Sequence, residues 1–161
     1  MALLDETRND IQDIDLSETR RKRFRIDGDN DRILELNTSD MGIIKRLNDL
    51  LPKLKSLQTD AAKELVFGDD MSDEEGMRVA SDVLIRIDSD MRDIVDEIFD
   101  SNVSEVCAPE GSMYDPFNGK FRYEHIIETL VKLYEDNIKE ETQKVAERVN
   151  KHTNKYTKRK K

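Results

Sequence analysis

Two periodicities divide the chain. Between Phe24 and Leu36 apolar residues alternate with charged ones, and from Ile43 onward they recur every three or four positions. Alternation suits a half-buried strand, because successive side chains point to opposite faces. Phe24 and Ile26 on one side, and Ile33-Leu34-Glu35-Leu36 on the other, flank Asp27-Gly28-Asp29-Asn30-Asp31, a cluster of turn formers. The pattern predicts a β-hairpin over 23–36. A lone hairpin is marginal in water, so this one must rest on a helix.

Three helical stripes follow. Thr38-Ser39-Asp40 supplies capping side chains, and Ile43, Ile44, Leu47, Leu50, Leu51 and Leu54 keep helical spacing, predicting a helix over 39–65. Pro52 lacks an amide hydrogen and should kink or split it before Leu65-Val66-Phe67-Gly68 ends it. Ser72-Asp73-Glu74-Glu75 is a capping box with acids at the positive helix end, and predicts a second helix over 73–100. Met77, Ala80, Val83, Leu84, Ile87, Met91, Ile94, Val95, Ile98 and Phe99 form its core stripe; Asp82, Asp88, Asp90, Asp93, Asp96, Glu97 and Asp100 are assigned to water. A third helix is predicted over 121–150, with Ile126, Ile127, Leu130, Val131, Leu133, Tyr134 and Ile138 apolar, after which the stripe thins to Val145 and Val149. Thirty residues extend about 45 Å, more than a small domain is wide, so the second half should leave the core as a spur or lie on another subunit.

The stretch 101–119 interrupts the helices with proline and glycine near both ends. Met113, Tyr114 and Phe117 are its apolar anchors. The expectation is that it folds back onto the core; a partner site is the alternative. The domain plan is thus a mobile arm over 1–19, one domain over 20–150 and a basic, frayed tail over 151–161. The fold class expected is α+β, mostly α.

Charge sharpens this plan. The net charge is -9, yet residues 120–161 hold 12 Lys/Arg against 7 Asp/Glu, leaving 15 of the 27 bases and 29 of the 36 acids for residues 1–119. An acidic body with a basic end points to partners bound through charge and shape, and allows head-to-tail self-association into rings or spirals. Arg20-Arg21-Lys22-Arg23-Phe24-Arg25 reads as a solvated strand flank, with a nucleic-acid contact as the alternative. Cys107 stands alone, which excludes an internal disulfide, and nothing in the cysteine usage argues for an oxidising compartment; it is either a small buried apolar group or a reactive thiol. No run approaches the length of a membrane span, and the start Met1-Ala2-Leu3-Leu4-Asp5-Glu6 lacks the features of a signal peptide.

Catalytic equipment is not legible. His125 and His152 have no Cys pair, the glycines form no phosphate loop, and no nucleophile has a base in view. Asp27, Asp29 and Asp31 alternate as calcium ligands do, but Arg32 and Thr38 occupy the places an EF-hand gives to glycine and a bidentate acid. No enzyme, cofactor or metal is expected.

The order of features resembles the tail assembly chaperones of long-tailed (siphovirus-type) bacteriophages of Gram-positive bacteria. The hairpin Arg23-Phe24-Arg25-Ile26-Asp27-Gly28 to Ile33-Leu34-Glu35-Leu36 leads to Asn37-Thr38-Ser39-Asp40. Val95-Asp96-Glu97-Ile98-Phe99 precedes an irregular stretch with Cys107, then Ser112-Met113-Tyr114-Asp115 and an amphipathic helix ending in Tyr156-Thr157-Lys158-Arg159-Lys160. The resemblance implies a non-enzymatic role in the host cell cytoplasm: binding the tape measure protein, recruiting tail tube subunits, and absence from the finished particle. Expected partner contacts are Met113, Tyr114, Phe117, Val145, Val149, Lys155, Tyr156, Lys158, Arg159, Lys160 and Lys161. The competing readings are a structural or completion protein kept in the virion, and a nucleic-acid-binding regulator using the basic clusters.

Overall fold

Asp27 and Gly28 both take positive φ, 52° and 71°. That backbone closes a two-residue hairpin whose twist matches its strands, which glycine adopts freely. Strand β1 (Lys22–Ile26) and strand β2 (Asp29–Leu36) pair antiparallel, with Phe24 opposite Leu34 and Arg23 opposite Glu35. The regular ladder ends with Arg25 opposite Ile33; the register then shifts so that Ile26 pairs with Asp29, and residues 30–32 of β2 bulge beside the two-residue turn. Leu34 and Leu36 are fully buried and Phe24 and Ile26 half-buried, while Arg23, Arg25 and Glu35 face solvent. The acids of the turn serve it locally. Asp29 accepts the Asp31 amide at 2.9 Å, and Asp27 lies 3.3 Å from Arg32. The computed structural model describes residues 10–18, 20–65 and 73–159, the side chains of 154 and 156–159 excepted.

Helix α1 (Ile43–Glu64) starts later than Thr38-Ser39-Asp40 suggested, because those residues form the turns leading into it. Asp40 accepts the Gly42 amide at 2.9 Å and pairs with Arg46 at 2.8 Å. Of the two outcomes expected of Pro52, a kink or a split, the split does not occur: α1 is continuous through it. Pro52 and Asn48 are both exposed, so the carbonyl that loses its helical partner faces water. Helix α2 (Glu74–Phe99) runs antiparallel to α1: Arg46 donates to Ile98 O at 2.7 Å near one end, and Glu64 pairs with Arg86 at 2.6 Å near the other. The first three turns of α2 therefore extend past the end of α1. Met77 and Leu84, assigned to the core by periodicity, are exposed, and full burial begins at Ile87. Asp73 holds the N-cap position without a side-chain hydrogen bond. The expected capping box paired Ser72 with Glu75; with the N-cap at Asp73 the third helical position is Gly76, so that box does not form. Ser72, Val66, Phe67 and Gly68 lie outside the described residues.

Asp100 ends α2 in the left-handed conformation. Arg21 donates to its carbonyl and pairs with its carboxylate, each at 3.1 Å, so cations meet the negative end of the helix. The next segment folds back as expected and contains a short helix α3 (Val103–Cys107). Val103, Ala108 and Met113 join the core. A second small hairpin, strand β3 (Pro116–Phe117) and strand β4 (Lys120–Phe121), turns on Asn118-Gly119, again with positive φ at both residues. Helix α4 (Arg122–Arg159) then runs for 38 residues, about 57 Å at helical rise. Tyr123, Ile126, Ile127, Leu130 and Tyr134 close the core, with the Phe99 and Tyr134 rings 5.8 Å apart. The tail expected from 151 is helical through Arg159.

Candidate protein-binding surface

Two acids assigned to water are turned inward, and they hold the folded-back segment in place. Asp96 accepts the Ser104 amide and hydroxyl at 2.7 and 2.9 Å; Asp88 accepts the Met113 amide at 2.7 Å. Arg92 pairs with Asp88 at 2.9 Å and donates to the carbonyls of Ser104, Ala108 and Gly111. Arg32 adds donations to Val106 O and Cys107 O. This segment is a fixed part of the fold. Burial pushes the Cys107 thiol up to about 11, so it keeps its proton at neutral pH even with the Arg32 charge opposing. Among the described residues no group of three or more His, Cys, Asp or Glu is placed to hold a metal ion. No helix among them is long and apolar enough to cross a membrane.

The predicted contact residues separate into four situations. Met113 is fully buried and fills the core, so it offers no surface to a partner. Tyr114 is half-buried, stacked on Phe121 at 4.2 Å. Phe117 stands 79% exposed on the β3–β4 hairpin. Val145 and Val149 are 53% and 50% exposed on α4, and Lys155 is exposed further along it. Tyr156, Lys158 and Arg159 lie on the last turns of α4 with undescribed side chains, and Lys160 and Lys161 fall outside the described residues.

Beyond Ile138 every described side chain of α4 is exposed, so its distal half is a helical spur. Its apolar positions do not start there. Val131 and Ile138, on the same face, line an apolar groove at the root of the spur, closed on the other side by Ile43, Ile44 and Leu47 of α1. Ile44 is 59% exposed beside that groove. Ile44 was legible in the sequence as part of the apolar stripe of its helix, but the groove was not, because its other wall comes from a helix distant in the chain.

The basic cluster of the hairpin is mostly occupied within the chain. Arg20 pairs with Glu18, Arg21 with Asp100 and Arg23 with Glu35, and Lys22 donates to Asn137. These are exposed contacts of modest strength, and three of the cluster's charges, Arg20, Arg21 and Arg23, are paired with acids of the same chain. No family model, curated protein or solved structure matches the chain.

Proposed function

We propose that the protein is a tail assembly chaperone of a long-tailed bacteriophage, acting in the host cytoplasm on the tape measure protein and on tail tube subunits without catalysis. The observation that carries the reading is the spur: a long helix whose apolar seam, through Val145 and Val149, is left uncovered by its own fold. A tape measure protein is long and largely helical, and its apolar stripes aggregate unless covered. A helix with a matching seam can cover such a stripe side by side. The exposed Met77, Leu84 and Ile85, close together round the overhanging part of α2, add a second apolar helix surface.

The test is affinity capture of the tagged chain from infected cells, with partners identified by mass spectrometry, and a parallel inventory of purified particles. Recovery of tape measure and tube proteins, with the chain absent from particles, is the expected result. Stoichiometric presence in particles identifies a virion component instead. The internal ion pairs of Arg20, Arg21 and Arg23 weigh against the nucleic-acid reading.

A further inference from the structure

The spur carries a heptad seam that is complementary to itself when reversed. Ile138, Thr142, Val145, Val149 and His152 follow one another at spacings of four, three, four and three, the d and a positions of a two-stranded coiled coil. Val131 and Glu135 extend the same stripe backward, and with Ile138 they line the groove at the root. Thr142 fits an apolar seam because its hydroxyl already donates to Ile138 O at 2.8 Å, leaving the methyl group to face a neighbour. Flanking the seam at equivalent g positions are Glu141 and Arg148, seven residues apart and opposite in charge.

We propose that the spur is a self-association surface: two copies of this chain pair antiparallel along α4 about a two-fold axis between Gln143 and Lys144. In that register Thr142 of one copy layers on Val145 of the other, and Ile138 on Val149. Antiparallel coiled coils bring g positions together, so Glu141 meets Arg148 of the second copy, and the symmetry makes the pair twice. Glu135 in the groove meets His152. The end of each spur thereby seats beside the exposed Ile44 of the other copy. A parallel pair lacks this match: it stacks Glu135 on Glu135 and His152 on His152, and sets Glu141 against Ala146. Among the described residues Arg148 has no acidic partner in its own chain, while Glu141 has only an exposed contact with Lys144 at 3.5 Å.

The inference goes beyond the chaperone reading and needs no client; self-pairing and a client would occupy the Val145–Val149 seam in turn, so the purified full-length chain tests it separately from the capture experiment. Sedimentation over micromolar concentrations should give twice the 18.8 kDa of one chain. Val145→Asp combined with Val149→Asp should return it to a monomer with an unchanged circular dichroism spectrum, both side chains being exposed on the spur. Arg148→Glu alone should weaken association about tenfold by setting like charges together twice, and adding Glu141→Arg should restore it. Orientation is read from a spin label at Lys155→Cys in a Cys107→Ala background. Antiparallel pairing separates the two labelled backbones by about 35 Å along the axis, whereas parallel pairing leaves them side by side about 10 Å apart. A strictly monomeric chain, a charge swap that fails to restore pairing, or a short label distance each overturns the proposal.

Discussion

Arg92 illustrates what a single planar side chain does in this fold. Its guanidinium joins Asp88 to three carbonyls spread from Ser104 to Gly111, a fork geometry that a point charge cannot copy. Arg92→Ala should cost about 3 kcal/mol in urea unfolding by leaving the second Asp88 carboxylate oxygen and the Ala108 and Gly111 carbonyls without their donor. Arg92→Lys should recover less than half of that. The titrating groups make a second prediction. The native fold raises Cys107 from its ordinary 9.0 to about 11, and Tyr123 and Tyr134 from 10.0 to about 12, each chiefly by burial. A raised acid keeps its proton in the native state where the unfolded chain has lost it. Stability is then full below about pH 9 and falls as pH rises from there toward about 12. Denaturant midpoints measured against pH should show this decline, and Cys107→Ala should flatten its first part, from pH 9 to about 11. The inward turn of Asp88 and Asp96 was not legible beforehand, because periodicity tells which side of a helix is polar but not what lies above it.

Among the elements, α1 and α2 were the most legible, since long stripes at helical spacing survive small errors at either end. Their antiparallel register ranks the stripe residues of α2. Ile98 is fully buried and Ile94 only partly so, beside Asp90 and Asp93 in an open cleft. Ile98→Asp should therefore cost more than about 4 kcal/mol and abolish cooperative unfolding, while Ile94→Asp costs about 1–2 kcal/mol. Pro52 makes the opposite case. In an unbroken α1, Pro52→Ala restores the missing amide to Asn48 O and should raise stability by about 2 kcal/mol in thermal or urea unfolding. The β3–β4 hairpin went unread although Asn118-Gly119 is a strong two-residue turn signal. Its strands are only two residues each, too short for any alternation to announce them.

For the whole molecule, a folded head with one projecting helix means that stability and assembly reside in different parts of the chain. Removing residues 140–161 should shift the melting temperature by no more than about 2 °C at low protein concentration, since every described side chain removed is exposed. The same truncation should abolish both self-association and client capture. A large drop in melting temperature would show that the spur packs on its own head. The basic end, read as frayed, is helical through Arg159, so its charges ride on a rod at fixed spacing. That arrangement suits a partner surface better than a loose tail, because less freedom is lost on binding.

Local order along the chain was enough to determine the two hairpin strands, three of the helices and the acidic-to-basic gradient, because pleat, helical repeat and charge are properties of neighbouring residues. Which stripes stay uncovered could not be read that way. Met77, Leu84, Ile44 and Val145 repeat as regularly as Ile87 or Leu54, yet only the latter two are buried by distant segments. Burial is a relation between parts remote in sequence. Only the packed structure decided where α2 outruns α1, how the Arg92 fork ties down the segment after Asp100, and where α4 leaves the core with its seam open to another chain.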